Sequence, residues 1–324
     1  MPLTPLKLAA GSGETFGVDD IAIAWAHSGK FWEREGLSIS WVPVRGGVAA
    51  AQQVLDRNVV AGYGTWLPVV KRAEAGDPLR VLVSMALALA QNLVVNSATV
   101  RSPADLKGKR WAVDGIGALS HTLGVLIARG LGLAAEDIEW VVAGPPPERK
   151  AHLLDGRADC ALMRVEEAVA LARDCPGRLS KLLGFEEIRE LAPVQPHGVL
   201  SVRSDWAGDH PEACRALVRG LILASRQLHD DREAFRRAVR DHVHHVRVTD
   251  EDIDSLWQRE RDARSFAVNG GFGGEHWQGA LAMYESLHGT KPRFGDVSLV
   301  TVGEVLREIG LHRSHDPAPV ASSL

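Results

Sequence analysis

Short apolar segments alternate with longer amphipathic stretches along most of this chain. Such alternation is typical of α/β folds, in which the strands of a mostly parallel sheet are joined by helices. Strands are predicted at 6–10, 38–44, 59–63, 79–85 and 92–96, and helices at 19–35, 47–56 and 66–75. The alternation begins again after the turn-rich segment 102–109, which predicts a second α/β unit.

The second unit and the remainder of the chain differ in their balance of strand and helix. Strands are predicted at 110–114, 138–143, 160–163 and 199–202, with helices at 120–131 and 147–155. Further helices are predicted at 211–229, 232–245, 250–261, 275–287 and 301–310. Residues 312–324 are rich in Pro, Ser and Ala and are expected to form a disordered tail. Two α/β units of similar size indicate two lobes with a cleft between them.

The composition argues against several classes of protein. The chain has 324 residues, of which 45% are hydrophobic and 24% charged, and its net charge of -4 gives no basic surface for nucleic acid. Three cysteines without a CxxC spacing, and three clustered histidines without an HExxH spacing, predict neither a metal site nor a cofactor. No uncharged run is long enough for a membrane span. The N-terminus lacks a signal-peptide pattern, so we expect a cytoplasmic protein, or a periplasmic or extracellular one if a leader was removed.

Ligands of open α/β sheets bind beyond the carboxyl ends of the strands, so the turns after the predicted strands supply candidate binding residues. Backbone amides at Gly46 and Gly47 favour an anionic group, although a tight turn explains the same glycines. Thr65 either caps a helix or donates to a ligand, and Trp66 offers a ring for stacking. The candidate ligand-binding residues are Ser12, Gly13, Gly46, Gly47, Gly64, Thr65, Trp66, Gly117, Ser120, His121, Arg164, His197, Asn269 and Gly271.

Four segments, in order along the chain, carry a resemblance to a known family. They are GKFWEREGLSISWVPVRGG at 29–47, LDRNVVAGYGTWLPVVKRAEAGDPLRVL at 55–82, SPADLKGKRWAVDGIGALSHTLGVLIARGLGL at 102–133 and LLDGRADCALM at 153–163. They resemble type II periplasmic substrate-binding proteins of ABC importers, in the branch for sulfonates, taurine, nitrate and thiamine-pyrimidine precursors. The resemblance implies an α/β fold of two lobes, each a mixed, mostly parallel sheet flanked by helices, with the ligand cleft between them.

The resemblance also implies domain boundaries and a function. Lobe one would hold 1–96 and 198–311, lobe two would hold 97–197, and the chain would cross between them near 91–97 and 195–202. The expected function is binding of a sulfonate-like, pyrimidine-like or aromatic acid ligand by a monomer or weak dimer, with an ABC permease as partner if the protein is exported. The family often has Gly-Ser-Thr in the turn after strand 110–114. Ala118 and Leu119 stand there in this chain, which favours a less anionic or an aromatic ligand.

Two other functions remain open from the sequence. Enzymes exist on the same fold, among them a desulfinase, decarboxylases or lyases of aromatic acids, and pyrimidine-precursor synthases. Such an enzyme would use His27, His121 and His197, with Glu14 or Glu166, as acid–base groups. The lack of an export signal favours this class, but the cysteines on which the desulfinase and the pyrimidine synthase depend are absent here. A cytoplasmic ligand sensor is the third interpretation, and the sequence does not separate it from a receptor.

Overall fold

The computed structural model of the chain describes residues 2–11, 17–88, 90–193, 195–244, 247–271, 275–290, 292 and 296–313. The strands are β1 (Thr4–Ala10), β2 (Leu37–Pro43), β3 (Ala61–Thr65), β4 (Leu79–Ser84), β5 (Gln91–Asn96), β6 (Arg110–Val113), β7 (Glu139–Val142), β8 (Cys160–Arg164), β9 (Leu179–Leu183) and β10 (Gly198–Arg203). The helices of the first half are α1 (Val18–Ser28), α2 (Phe31–Arg34), α3 (Gly46–Leu55), α4 (Trp66–Glu74), α5 (Leu119–Gly130) and α6 (Pro146–Leu154). Those of the second half are α7 (Val165–Asp174), α8 (Phe185–Leu191), α9 (Ser204–Asp209), α10 (Pro211–Asp230), α11 (Arg232–His242), α12 (Asp250–Asp262), α13 (Glu275–His288) and α14 (Asp296–Ile309).

The strands form two sheets of five, one in each lobe. The first has the order β2-β1-β3-β10-β4 and the second the order β7-β6-β8-β5-β9. In the first sheet β1 runs parallel to β2 and β3, whereas β10 is antiparallel to its neighbours. In the second, β6 runs parallel to β7 and β8, whereas β5 is antiparallel to its neighbours. The expected fold, two lobes with mixed sheets flanked by helices, is confirmed.

The chain passes between the sheets twice, and the two passages are hydrogen-bonded to each other. The amide of Met85, which follows β4, donates to the carbonyl of Gly198 at 2.8 Å, and the amide of His197 donates to the carbonyl of Ala86 at 3.1 Å. We call these paired segments, 85–88 and 195–198, the hinge ribbon. Because β5 belongs to the second sheet, the first passage ends before Gln91, one strand earlier than the predicted boundary at 96/97.

The helices after β10 build the outer layer of the first lobe. Helix α10 packs against α1, α2 and α14, and α14 packs against β4. Trp277 of α13 lies against Trp66 of α4, with 5.8 Å between the ring centroids, and both side chains are fully buried. No described helix is both long and apolar enough to cross a bilayer.

Two differences between the predicted and observed elements have local causes. The predicted helix 19–35 is broken between α1 and α2, where Lys30 has a φ of 60° and the Gly29 amide bonds to the Trp25 carbonyl. Helices α7 and α8 and strand β9 were not predicted between 164 and 198. Their apolar residues lie on short segments that alternate with charged residues, so no long periodic stretch marks them. The predicted tail 312–324 lies outside the described residues except for 312 and 313.

Gly220 and Gly303 provide a matched test of the packing between α10 and α2. A Cβ at Gly220 would lie 2.4 Å from Cδ1 of Trp32, a buried ring whose indole N–H donates to the Leu217 carbonyl. A Cβ at Gly303, also within a helix, would meet no atom within 4 Å. We expect Gly220→Ala to lower the free energy of unfolding by about 1–3 kcal/mol through overpacking. We expect Gly303→Ala to raise it by about 0.5–1 kcal/mol through helix propensity.

The measurement is urea denaturation of the two variants and the unsubstituted protein, followed by circular dichroism. A Gly220→Ala protein as stable as the Gly303→Ala protein would contradict the described packing of Trp32 on α10.

Candidate functional site

The two lobes face each other across a cavity of about 490 Å³ at the carboxyl ends of their parallel strands. Strands β2 and β3 of the first sheet lead into turns at Gly46 and Thr65, and strands β6 and β7 of the second lead into turns at Asp114 and Gly144. We call this space the interlobe cavity. Its lining is made by residues 45–48, 51, 52, 65, 68, 71 and 72 of the first lobe and 114–118, 144 and 145 of the second.

Four helices begin at the interlobe cavity. They are α3, α4, α5 and α6, which follow Arg45, Thr65, Ala118 and Pro145. None of these four residues makes a side-chain capping bond in the described structure. The first-turn amides of a helix have no partner within the helix, and the helix dipole adds partial positive charge there. The ends of α3, α4 and α5 therefore add positive potential to the cavity, which favours an anionic group. The end of α6 offers no free amide in its first turn, because residues 145–147 are all proline and the Glu148 amide bonds to the Pro145 carbonyl.

Glycines allow the turns of the first lobe to approach each other closely. A Cβ at Gly47 would lie 2.8 Å from the amide nitrogen of Thr65, and a Cβ at Gly64 would lie 2.6 Å from Cα of Gly47. A side chain at either position would push the β2–α3 and β3–α4 turns apart. The two turns are thus held backbone to backbone, and their helix ends point into one space.

Lys71 supplies a cation at the same cavity. Its Nζ donates to the carbonyl of Gly117 at 2.8 Å, a contact that joins the two lobes. Partial burial lowers the pKa of Lys71 below its usual value. Arg45 also reaches across, forming an ion pair with Glu148 of α6. The interlobe cavity is therefore lined by the cationic side chains of Lys71 and Arg45 as well as by the backbone dipoles of helix ends. Both cations contact the opposite lobe.

His121 supports the turn of the second lobe. The amide of Gly117, a residue with a φ of 77°, donates to Nδ1 of His121 at 3.1 Å, which leaves the ring proton on Nε2. Burial, and then the charge of Lys71, lower the pKa of His121, so the ring is neutral at neutral pH. The ring also lies edge-on to Trp140, at a centroid distance of 4.8 Å. Nearby, Ser120 Oγ accepts from the Asp114 amide at 2.9 Å.

A second cluster joins the lobes beside the hinge ribbon. Arg164, at the end of β8, donates through Nη2 to Asp19 Oδ1 at 3.0 Å and to Asp20 Oδ2 at 3.1 Å. His197 Nδ1 lies 2.6 Å from Asp19 Oδ2, and Tyr63 Oη lies 2.8 Å from the same oxygen. We call these five residues the ionic cluster. Sequence analysis selected Arg164 and His197, and the structure brings them together.

The charges in the ionic cluster stabilise one another. Burial by itself would raise the pKa of Asp19, but the charges of Arg164 and His197 and the hydrogen bonds to Asp19 hold it well below its usual range. Burial, followed by the charges of Asp19 and Asp20, raises the pKa of Tyr63 well above 10. Space for the guanidinium depends on Gly17, where a Cβ would lie 1.5 Å from Nη1 of Arg164. Gly198 is equally constrained, since a Cβ added at this position would lie 2.4 Å from Asp19 Oδ2.

Other predicted site residues lie in different surroundings. Trp66 is fully buried against Trp277, which places its ring in the core and not along the interlobe cavity. The Asn269 side chain accepts hydrogen bonds from Arg226 and from the amide of His312. Gly271 has a φ of 59° and packs closely against the side chains of Leu87 and Ser84. Neither lines the interlobe cavity. Ser12, Gly13 and Glu14 lie outside the described residues.

The acid–base residues suggested for an enzyme do not share one described cavity. His27 lines a pocket of about 250 Å³ with Trp41 and His242, His121 supports the Gly117 turn, and His197 belongs to the ionic cluster. Glu166 lies 3.1 Å from Arg259 of α12, and burial raises its pKa to about 7.

A larger cavity of about 800 Å³ lies elsewhere, between α7, α8 and the end of α12. Its lining includes the apolar side chains of Val165, Val169 and Phe185 where β8 ends, and it shares no lining residue with the interlobe cavity. We consider the interlobe cavity the better candidate site because the ends of α3, α4 and α5, paired glycine turns and Lys71 converge on it.

Sequence reasoning missed Asp19, Asp20, Tyr63, Lys71 and Arg45. Asp19 and Asp20 are consecutive acidic residues at the start of α1, a position where acidic residues commonly favour the helix dipole. Their second role becomes visible only when Arg164, 145 residues later, is placed beside them.

Comparison with known proteins agrees with this geometry. Residues 19–230, about two thirds of the chain, match the family model described as NMT1/THI5 like. The chain belongs to the NMT1/THI5-like family. The match covers every strand except β1, and the whole ionic cluster, so the family resemblance found in the sequence is confirmed. A search of curated protein sequences finds no match.

Several solved structures share the fold. A protein from Bordetella bronchiseptica RB50 superposes with a TM-score of 0.71 at 17% identity, covering 94% of this chain and 98% of that one. The alkanesulfonate-binding protein of Xanthomonas axonopodis pv. citri, bound to MOPS, gives 0.61 at 19% identity, covering 81% and 93%. The periplasmic nitrate-binding protein of Synechocystis gives 0.70 at 13% identity, covering 98% and 92%. This chain has the periplasmic-binding-protein fold that these proteins display.

The ionic cluster predicts a large effect of removing its cation. Arg164→Met leaves the buried carboxylate of Asp19 without a guanidinium, so we expect the free energy of unfolding to fall by about 3–5 kcal/mol at pH 7. The folded-state pKa of Asp19 lies below its unfolded value, so its contribution is present above about pH 4 and is lost as the pH falls. The difference in free energy of unfolding between the unsubstituted protein and Arg164→Met should therefore become smaller as the pH falls.

Arg157→Met is the matched control, because Arg157 forms an exposed ion pair with Asp155 at 2.8 Å. We expect it to change stability by less than about 0.5 kcal/mol. Denaturant titrations at pH 7 and at about pH 2 make the comparison, because the lower pH lies below the unfolded-state pKa of Asp19. Equal effects of the two substitutions would show that the ionic cluster is not a buried, charged network.

Proposed function

We propose that this protein is the ligand-binding component of an ABC-type importer and that it captures a small organic anion in the interlobe cavity. The observation that carries the proposal is the convergence of three uncapped helix N-termini, those of α3, α4 and α5, and Lys71 on one space between two lobes. A volume of about 490 Å³ lies within the usual range for small-molecule sites. The shared fold includes proteins that bind alkanesulfonate and nitrate, which supports an anionic ligand.

The walls of the cavity suggest which anions fit best. Val48 and Ile116 are large apolar side chains, one from each lobe, and their exposed fractions are 63% and 65%. Pro68 and Pro145 extend the apolar lining. Ala118 carries no hydroxyl and Leu119 follows it at the start of α5, so this turn offers a ligand its backbone amides only. We infer a ligand with one anionic group and an apolar or aromatic body, such as an aromatic carboxylate or a substituted sulfonate.

The ionic cluster supports a role in lobe closure. Arg164 belongs to the second sheet, whereas Asp19, Asp20 and Tyr63 belong to the first lobe, so their contacts hold the lobes together without a ligand. The charge of Arg164 is balanced by two carboxylates. We therefore infer that the ligand's anionic group is recognised at the helix ends and Lys71, and not primarily by Arg164.

An importer of this class receives its ligand outside the cytoplasmic membrane and passes it to a permease. We propose that this protein acts there, with a permease as its partner. Cell fractionation of the native host with an antibody to the protein tests this location, and recovery in the cytoplasm alone would contradict it.

Lys71→Met tests the interlobe cavity directly. We would screen the unsubstituted protein by isothermal titration calorimetry against aromatic carboxylates, alkyl- and arylsulfonates, nitrate and pyrimidines. For the best ligand, we expect Lys71→Met to weaken binding by at least about tenfold, which corresponds to about 1.4 kcal/mol. We also expect a weaker dependence of affinity on salt, since one cation has been removed.

Lys107→Met is the matched control. Lys107 is exposed and paired with Asp137 at 3.1 Å, and it precedes β6, at the opposite end of that strand from the cavity. Its substitution should leave affinity unchanged. If Lys71→Met binds as tightly as Lys107→Met, the anionic group does not sit at Lys71. If no compound in the panel binds at millimolar concentration, the proposed ligand class is wrong.

A further inference from the structure

A compact group of metal-ligating side chains lies far from the interlobe cavity, at the end of α10. His229 Nδ1 is 2.8 Å from Asp230 Oδ1, and His312 Nε2 is 2.9 Å from Asp230 Oδ2. Potential ligand atoms of all three residues lie within 4.8 Å of one another. His312 comes 82 residues after Asp230 in the chain, so the fold, and not a local motif, brings these side chains together.

Neighbouring residues fix the position of His312 independently of Asp230. The amide of His312 donates to Oδ1 of Asn269 at 2.8 Å. Arg226 donates to the same oxygen at 3.1 Å and to the carbonyl of Gly310 at 2.6 Å. The segment after α14 is thus attached to the loop before α13 and to α10 by backbone and side-chain contacts. His312 is presented to His229 and Asp230 by structure that does not itself depend on the cluster.

The chemistry and spacing of the donors suit a borderline divalent cation. Two imidazoles and one carboxylate are a ligand set typical of Zn²⁺, with a water at the fourth position. Bonds of about 2.0–2.1 Å in a tetrahedral site place neighbouring donors roughly 3.3 Å apart. The two imidazoles contact different oxygens of Asp230, at 2.8 and 2.9 Å, and the ligand atoms all lie within 4.8 Å of one another, so side-chain rotation has to bring the three donors to this spacing.

Access from solvent favours binding. The side chain of Asp230 is 54% exposed, which gives an ion a route from solvent. The nearby guanidinium groups of Arg226 and Arg261 oppose a cation, so the site has to bind against some repulsion.

We propose that His229, Asp230 and His312 form a Zn²⁺ site on the surface of the first lobe. The ion replaces the hydrogen bonds from the imidazoles to Asp230 and fastens the segment 310–312 to the end of α10. This differs from the sequence analysis, which predicted no metal site because the chain has neither a CxxC nor an HExxH spacing.

The test is isothermal titration of the full chain with Zn²⁺ after removal of metal by a chelator, supported by Co²⁺ absorption spectra. We expect one Zn²⁺ per chain at this site and the visible bands of four-coordinate Co²⁺. Asp230→Asn and His312→Gln should each weaken that binding at least about tenfold, whereas His288→Ala, an exposed histidine on α13, should not. Circular dichroism establishes that each variant is folded.

Thermal unfolding supplies a second readout. Zn²⁺ at about 100 times its dissociation constant should raise the Tm of the unsubstituted protein by roughly 5 °C, and should have little effect on Asp230→Asn. No binding by the unsubstituted protein at millimolar Zn²⁺ would show that His229, Asp230 and His312 form only hydrogen bonds with one another. Binding that survives both Asp230→Asn and His312→Gln would place the metal elsewhere. Either result overturns the proposal.

Discussion

The closed arrangement of this protein depends on how a buried guanidinium is neutralised. The side chain of Arg164, at the end of β8, extends into the first lobe. There it donates hydrogen bonds to the carboxylates of Asp19 and Asp20, and His197 lies beside it. A charge buried to this extent is tolerated only when opposite charges and hydrogen bonds replace water. The geometry of α1, of the Tyr63 strand end and of the hinge ribbon is therefore tied to one side chain from the other lobe.

The ionic cluster and the interlobe cavity have different roles. The cluster holds the lobes in register with charges that cancel locally. The cavity keeps positive groups for a ligand, because the ends of α3, α4 and α5 lack side-chain caps and Lys71 pairs with a carbonyl and not with a carboxylate. A ligand that bridges the cavity would add contacts to a closure that already exists.

Much of the fold could be predicted from the sequence. Strands and helices of alternating period are local features, so the two α/β units and most elements up to residue 163 were found, together with the glycine turns at 46–47 and 115–117. The residues that set the electrostatics were harder to find. Asp19, Tyr63 and Lys71 look like a helix start, a strand end and a helix surface until Arg164 and Gly117 are placed beside them. Trp66 shows the opposite error, because an aromatic residue after a strand suits the core as well as a site.

The hinge ribbon restricts how the lobes can move. Its two segments are hydrogen-bonded to each other at Met85–Gly198 and at His197–Ala86, and the Leu87 amide donates to the Ser265 carbonyl. Sliding one passage along the other would break these bonds, whereas bending or twisting the pair would keep them. A motion that keeps these bonds would be a rotation of the lobes about an axis close to His197. Opening on that axis would separate the turns at Gly47 and Gly117 far more than it would separate the residues beside the ribbon.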